Sequence, residues 1–417
     1  MNRKHQAFVL AFILLISGLC PVQAATLGPA GSYNELLELA AGAADGEIIL
    51  ISGRIAADSA PLVIRPAVTI RSAAPGAASI SGLSISDSSV TFSGVVLENT
   101  LNVSGTSYIE LKNGSSVTGA GGDSGIRFDG NGALLLGADC SVTGGSDGAG
   151  VSISHRSGDF YSSLEGTVTG GSGNTGGPGV VVSPLSRSGT MMISGEILGG
   201  SGEIIGGHAL NLFDLSGNAY ITVAGSVTGG SGEIGGDGIQ LVSASDHVNV
   251  GITGSVKGGE GSGYGGDAML LMNASGSASI SLSGTLSGGN ATQSDAQPGT
   301  SLLIVGDSTS ARTRVDNCIL EDGLLLSAAA TPAATPAPTP IPAVTPLPAI
   351  TASLVLPTLL PERIEEEPEK ETEDRLPIAT PDEAMREENP LEEVADDLTQ
   401  DEESIDSDDS GAENPAA

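Results

Sequence analysis

Apolar and polar residues alternate through several short stretches of this chain. Ile221-Thr222-Val223, Val248-Asn249-Val250 and Ser279-Ile280-Ser281-Leu282-Ser283 each place apolar side chains at every second position. Such alternation marks a strand with one buried face. After each of these stretches, across a glycine-rich loop, comes another short apolar run: Val180 to Val182, Leu210 to Leu212, Ile239 to Leu241 and Met269 to Leu271. The unit therefore reads strand, glycine-rich loop, strand, turn, and nothing in it reads as a helix.

The unit repeats. Gly-Gly pairs begin at Gly144, Gly170, Gly199, Gly229, Gly258 and Gly288, a nearly regular spacing. One apolar column holds Leu164, Ile193, Val223, Ile252 and Leu282. A glycine column follows two positions on, with Gly166, Gly195, Gly225, Gly254 and Gly284. A second apolar column follows that, with Val168, Ile197, Val227, Val256 and Leu286. One unit cannot bury its own apolar face, but a stack of units turns each column into a ladder of like side chains. The expected fold is all-β: a parallel β-helix with one repeat per coil and strands about 4.8 Å apart along the stack. Parallel crossovers are right-handed, so the solenoid is expected to be right-handed. The competing architecture is a propeller or sandwich of antiparallel hairpins. The repeat is short for a four-stranded blade, and the chain has no Trp.

Shorter coils precede the regular ones, since Val68 to Ile70 is followed by a matching run already at Val90 to Phe92. Ser32-Tyr33-Asn34-Glu35 matches a capping box, and Leu36, Leu37, Leu39 and Ala40 follow on one side of a short helix that Gly42 and Gly46 stop. Residues 32–41 are thus predicted to lid the first coil, which begins at Glu47 to Ile51. Open strand edges at a solenoid end invite aggregation, so such a lid is expected. The last coil is placed at Leu302 to Val305 through Leu324 to Leu326.

The run Tyr33-Asn34-Glu35-Leu36-Leu37, then Ala44-Asp45-Gly46-Glu47-Ile48-Ile49-Leu50, then Leu62-Val63-Ile64 and Val68-Thr69-Ile70-Arg71, resembles the opening of pectin-lyase-like β-helix proteins of bacterial surfaces. The resemblance is close over these runs and extends to the rest as repeat style. It implies a right-handed β-helix. That fold carries both polysaccharide enzymes and non-catalytic surface proteins, so the resemblance does not choose between them.

The chain ends read differently from its middle. Asn2-Arg3-Lys4-His5, the apolar run Ala7 to Leu19 and the small residues of Val22-Gln23-Ala24 form the three-part pattern of an export signal cleaved before Ala25. The stretch from Ala328 to Pro361 is dense in proline, the composition of an extended connector or glycosylated stalk. Glu362 to Ala417 holds 23 Asp and Glu against 4 Lys and Arg, a net of −19 out of −34 for the chain, too charged to fold. The expected organisation is a signal peptide (1–24), a cap region (25–46), a β-helix (47–327), a Pro/Thr-rich linker (328–361) and an acidic disordered tail (362–417). No transmembrane span is expected after signal cleavage, and the expected location is extracellular or the cell surface.

Charge and composition remove several chemistries. An acidic chain is a poor ligand for nucleic-acid phosphates, so no nucleic-acid partner is expected. Lys257 is the only Lys between Gly119 and Gly299, which disfavours a cleft for acidic sugars. Tyr161, Tyr220 and Tyr264 look isolated in the sequence. The glycine loops have no following Lys-Ser/Thr, so they are not phosphate cradles. Gly229-Gly230-Ser231-Gly232-Glu233-Ile234 puts Ile where a calcium-binding nonapeptide repeat has Asp. Three Cys are too few for a disulfide scaffold. Cys140 and Cys318 should lie about six coils apart, roughly 29 Å by strand spacing. Two free thiols are therefore expected, because a disulfide needs Cα atoms within about 7 Å.

One column concentrates acidic and ligand-type residues: Asp123, Ala149, Pro178, His208, Asp237 and Asp267. His208, Asp237 and Asp267 would lie on successive coils, where a cation such as Ca²⁺ could bridge them. Calcium wants six or more oxygens, and a loop Asp usually serves a turn. The expectation is no cofactor, no catalytic residue and no metal, with these three as the candidate ligands.

Together these readings predict a monomeric, non-catalytic secreted or surface β-helix protein. It would act in adhesion or as structure, through a loop-presented surface that meets an extracellular glycan or surface protein. The alternative is a polysaccharide lyase or glycoside hydrolase, and a third reading is cation binding by loops or tail.

Overall fold

The computed structural model describes residues 25–326, apart from gaps at 58–61, 65, 75, 156–157, 186–187, 246, 276–277, 295, 306–311, 316–317 and 321–323; the side chains of 155, 312–315 and 324–326 are also outside the description. The expected signal peptide (1–24), linker (328–361) and acidic tail (362–417) lie outside the described residues.

The described chain is a parallel β-solenoid with one α-helix, Tyr33–Gly42. Every strand pair is parallel. Antiparallel hairpins, the competing architecture, are thereby excluded from the paired strands. Each coil crosses three strand ladders. In a late coil these are Tyr220–Val223, then Ser226–Thr228, then Ile239–Ala244. The second ladder is an 11-stranded sheet of its own. The first and third belong to one 20-stranded sheet, because Leu101–Lys112 and Ile126–Leu136 run unbroken through both.

The registers are those of the sequence columns. Val223 pairs with Ile252 and Val227 with Val256, so residues one repeat apart lie directly over one another. In the short early coils Val68 pairs with Val90 and Ile70 with Phe92, across the shorter interval expected there. At the far end Leu302 pairs with Leu324. Column members are fully buried and form one continuous core, filled almost entirely by Val, Ile, Leu and Ala. Phe128 and Phe160 stack edge to face within it, their ring centroids 5.2 Å apart.

Two features differ from the sequence reading. The strand read at Ile221 to Val223 is followed by a further short strand, Ser226–Thr228, ahead of the glycine-rich loop, because the chain turns at Gly225 from the first ladder to the second. The glycine-rich stretch, expected as a loop, contains a short strand in four of the late coils. Gly173–Thr175, Gly202–Ile205, Gly232–Ile234 and Gly261–Tyr264 form a separate four-stranded sheet.

The helix caps the first coil as expected, one residue later than predicted at its end. Ser32 Oγ accepts the Glu35 N–H at 3.3 Å, and Glu35 Oε2 reaches back to the Gly31 N–H at 2.7 Å. Tyr33, Leu36 and Ala40 are its buried face. A strand that the sequence pattern does not reveal, Thr26–Ala30, pairs in parallel with Ile48–Ile51 ahead of the first full coil. Among the described residues no helix is long and apolar enough to cross a membrane.

Candidate functional site: an acidic column and a glycine fin

The acidic column exists, with one shift. The N–H of Gly125 bonds to the Ala149 carbonyl and that of Ile126 to Gly150, so Ser124, not Asp123, stands level with Ala149. The interval between these two coils is shorter than the one that follows, which hides this offset in the sequence. From Pro178 onward the column holds: His208, Asp237, Asp267 and then Thr300 follow rung by rung.

His208, Asp237 and Asp267 each accept a backbone proton from the next rung. His208 Nδ1 accepts the Asp237 N–H at 2.9 Å, and Asp237 Oδ1 accepts the Asp267 N–H at 2.9 Å. Asp267 Oδ1 accepts both the Thr300 N–H at 2.7 Å and the Thr300 hydroxyl at 2.8 Å. A ring nitrogen that accepts a proton is unprotonated, so the 3.3 Å approach of Asp237 Oδ2 to His208 Nδ1 is not an ion pair in this arrangement. Burial pushes the Asp267 carboxyl above its ordinary 3.8; the Thr300 bonds oppose that shift and the Asp237 charge adds to it. The sequence hides Thr300 because its step from Asp267 is longer than the steps from His208 to Asp237 and from Asp237 to Asp267. The same device recurs outside this column. Asp45 accepts the Ala67 N–H at 2.8 Å, Asp87 that of Thr106 at 2.8 Å, and Asp147 that of Thr175 at 3.0 Å. The acids proposed as cation ligands are thus engaged in fastening one coil to the next. Among the described residues no three His, Cys, Asp or Glu side chains gather closely enough to hold a metal.

The four short glycine-loop strands build a fin that stands apart from the three body ladders. Its neck consists of paired glycines. The Gly200 N–H bonds to the Gly177 carbonyl at 2.8 Å, Gly207 to Gly200 at 2.8 Å, Gly230 to Gly207 at 2.7 Å, and Gly236 to Gly230 at 2.8 Å. This zigzag of backbone bonds runs from Gly148 to Gly299, alternately within a coil and between coils. The two backbones of the neck touch with no side chain between them. A Cβ at Gly199 would collide with the Gly207 carbonyl, and one at Gly200 with that of Gly171. Glycine is needed here for close approach, since none of these neck residues has a positive φ.

The fin carries an exposed apolar ladder on its returning side, each apolar member directly before a neck glycine. Thr175, Ile205, Ile234, Tyr264 and Gln297 are successive rungs. Ile204, Ile205, Ile234 and Tyr264 are each at least 40 % exposed, Tyr264 most of all at 54 %. Glu203 and Glu233 are exposed on the same strands. Between the fin and the second ladder lies an open groove of about 360 Å³. Thr169, Leu198 and Thr228 form one wall and Ser172, Ser201 and Ser231 the other, with Lys257 and Glu260 paired at 3.3 Å at its end.

The tyrosines are less scattered than they look in the sequence. Tyr161 and Tyr220 share one outward column with Tyr108, whereas Tyr264 is on the fin. Cys140 is buried at the corner where Gly166 sits one coil later, and burial raises its thiol to about 11. Cys318 is partly buried and also raised by burial. Both are free thiols, as the spacing predicts.

No protein-family model matches the chain, and no curated protein or solved structure matches it either.

Proposed function

We propose that this chain is an exported, non-catalytic β-helix protein of the pectin-lyase-like type, acting at or outside the cell surface in adhesion or as structure. The fin is the loop-presented surface through which it binds a protein partner. The observation that carries this reading is the ladder Ile205, Ile234 and Tyr264, exposed on a sheet joined to the body through a glycine neck. Large apolar side chains held in register in solvent mark an interaction surface. The solenoid supports the role by holding that ladder rigidly, because every neck backbone is hydrogen-bonded to the coil on either side. The stacked acids support it as well, since one oxygen of Asp237 and one of Asp267 is taken by a backbone N–H of the next coil.

The test is an array of extracellular-matrix and surface proteins probed with the full chain and with an Ile205→Ser/Ile234→Ser/Tyr264→Ser variant. The expected result is a captured protein whose signal falls at least tenfold in the variant while the melting temperature is unchanged. Equal signals from both proteins would overturn the fin as the binding surface. Reducing ends or unsaturated products released from a polysaccharide panel would overturn the non-catalytic reading. N-terminal sequencing of the secreted chain should begin at Ala25.

A further inference from the structure

A second surface lies on the outward side of the first ladder. Tyr108 pairs with Ala133, Ala133 with Tyr161, Tyr161 with Thr190 and Thr190 with Tyr220. The three tyrosines therefore recur on every second rung of a parallel sheet, about 9.6 Å apart by strand spacing. Tyr108 and Tyr220 are both 43 % exposed, and Tyr161 is partly exposed. The residues between them are small: Ala133, only 6 % exposed although it faces outward, and Thr190. The Tyr161 hydroxyl donates to Met192 Sδ at 3.5 Å, a residue on the next rung and two positions along. The Tyr161 ring therefore lies across the sheet toward that neighbour instead of standing out from it. Asp159 and Ser188 continue the polar side of the same strands.

From this arrangement we infer that the column is a platform for a neutral, extended glycan running along the solenoid axis, one tyrosine beneath every second sugar. An aromatic ring offers an apolar face to the C–H side of a pyranose while its hydroxyl stays wet, and tyrosine does so with little side-chain freedom to lose. In an extended β-1,4-linked chain the same ring face returns every second sugar, which is the period of the tyrosines in rungs. The ligand is neutral because the acids on the tyrosine strands are Glu110 and the exposed Asp159, and Lys112, on the strand of Tyr108, is held by Glu110 at 3.1 Å. An acidic polysaccharide would meet repulsion without a free cation on that strand to offset it. This site does not depend on the fin, and either can fail alone.

Binding is measured by titration calorimetry of the full chain with cellohexaose, with laminarihexaose as a neutral chain of different pitch and hexagalacturonic acid as the charged comparison. Cellohexaose should bind, with laminarihexaose and hexagalacturonic acid at least tenfold weaker. Tyr161→Ala, at the centre, should weaken cellohexaose at least tenfold, and Tyr161→Phe should retain most of the affinity. The fin variant should bind cellohexaose like the wild type. Circular dichroism melting checks that Tyr161→Ala folds; if it does not, Tyr220→Ala takes its place. No heat with cellohexaose, equal binding of the three oligosaccharides, or binding indifferent to folded tyrosine variants would each overturn the proposal.

Discussion

The early and late coils close the same solenoid by different means. Phe92 has Leu111 over it one coil later, whereas Val223 waits until Ile252, so the late coil is half as long again. Most of the difference sits at one corner. Leu97 on the second ladder is followed by Leu101 on the third within four positions, while Val227 is followed by Ile239 after twelve. The late corner holds the fin. Early corners are filled by hydroxyls: Ser88 Oγ accepts the Ile64 N–H at 2.8 Å, and Ser115 Oγ accepts the Val95 N–H at 3.2 Å and donates to the Lys112 carbonyl at 2.8 Å. Late corners drop the side chain. Ser115 and Cys140 give way to Gly166, Gly195 and Gly225, each packed on the carbonyl of the coil before it. A buried corner must satisfy its backbone either with side-chain groups or with backbone brought close enough to bond directly, and only glycine permits the second.

The largest break in this comparison should come from one methyl group. Gly225→Ala places a Cβ on the Gly195 carbonyl and should cost about 3 kcal/mol or more, if the chain folds at all. Gly251→Ala, in a neighbouring late coil but with open space at its Cβ, should change stability by under about 0.5 kcal/mol. Urea unfolding of the two variants decides whether late corners rest on glycine packing. Ser115→Ala should cost about 1–3 kcal/mol by leaving the buried Val95 N–H without its acceptor, a smaller loss than Gly225→Ala by the same measurement.

Acidity sharpens the contrast further. The folded-state value of Asp267 is raised, so its contribution to stability is fully present below 3.8 and is lost as pH rises through the raised value. Asp267→Asn keeps an oxygen for Thr300 but does not ionise. Its stability relative to the wild type should therefore increase as pH rises across that window and then level off, which thermal melts at a series of pH values would show. The smallest effect is chemical. Cys140, pushed up to about 11, stays a protonated buried thiol under neutral conditions. It should react with a thiol reagent many times more slowly in the native chain than in urea, and mass spectrometry of the labelled peptides checks this. Its contribution to stability is present below pH 9.0 and is lost as pH rises through about 11.

The ladders are legible because parallel stacking repeats the demand for an apolar side chain at a fixed interval. Val223 over Ile252 and Val227 over Val256 follow from that interval alone. The acidic column is legible as a set of stacked residues but not as a role. Nothing in the spacing of His208, Asp237 and Asp267 says that each oxygen or nitrogen would face a backbone N–H instead of a shared centre. Asp123 falls out of register and Thr300 escapes the pattern because the interval changes there, shrinking before Ala149 and stretching after Asp267.

By itself the sequence determined the parallel stack, its direction of repeat, the capping helix and the separation of the two thiols, since each depends on spacing along the chain. Only the tertiary structure decided that the paired glycines form a neck one backbone bond wide, that Ile205, Ile234 and Tyr264 are left in solvent, and that three distant tyrosines share a face. Those outcomes depend on how far each strand is offset from its neighbour and on which side of the sheet a residue points. A shift of one position reverses the side, and the interval between repeats varies by at least that much.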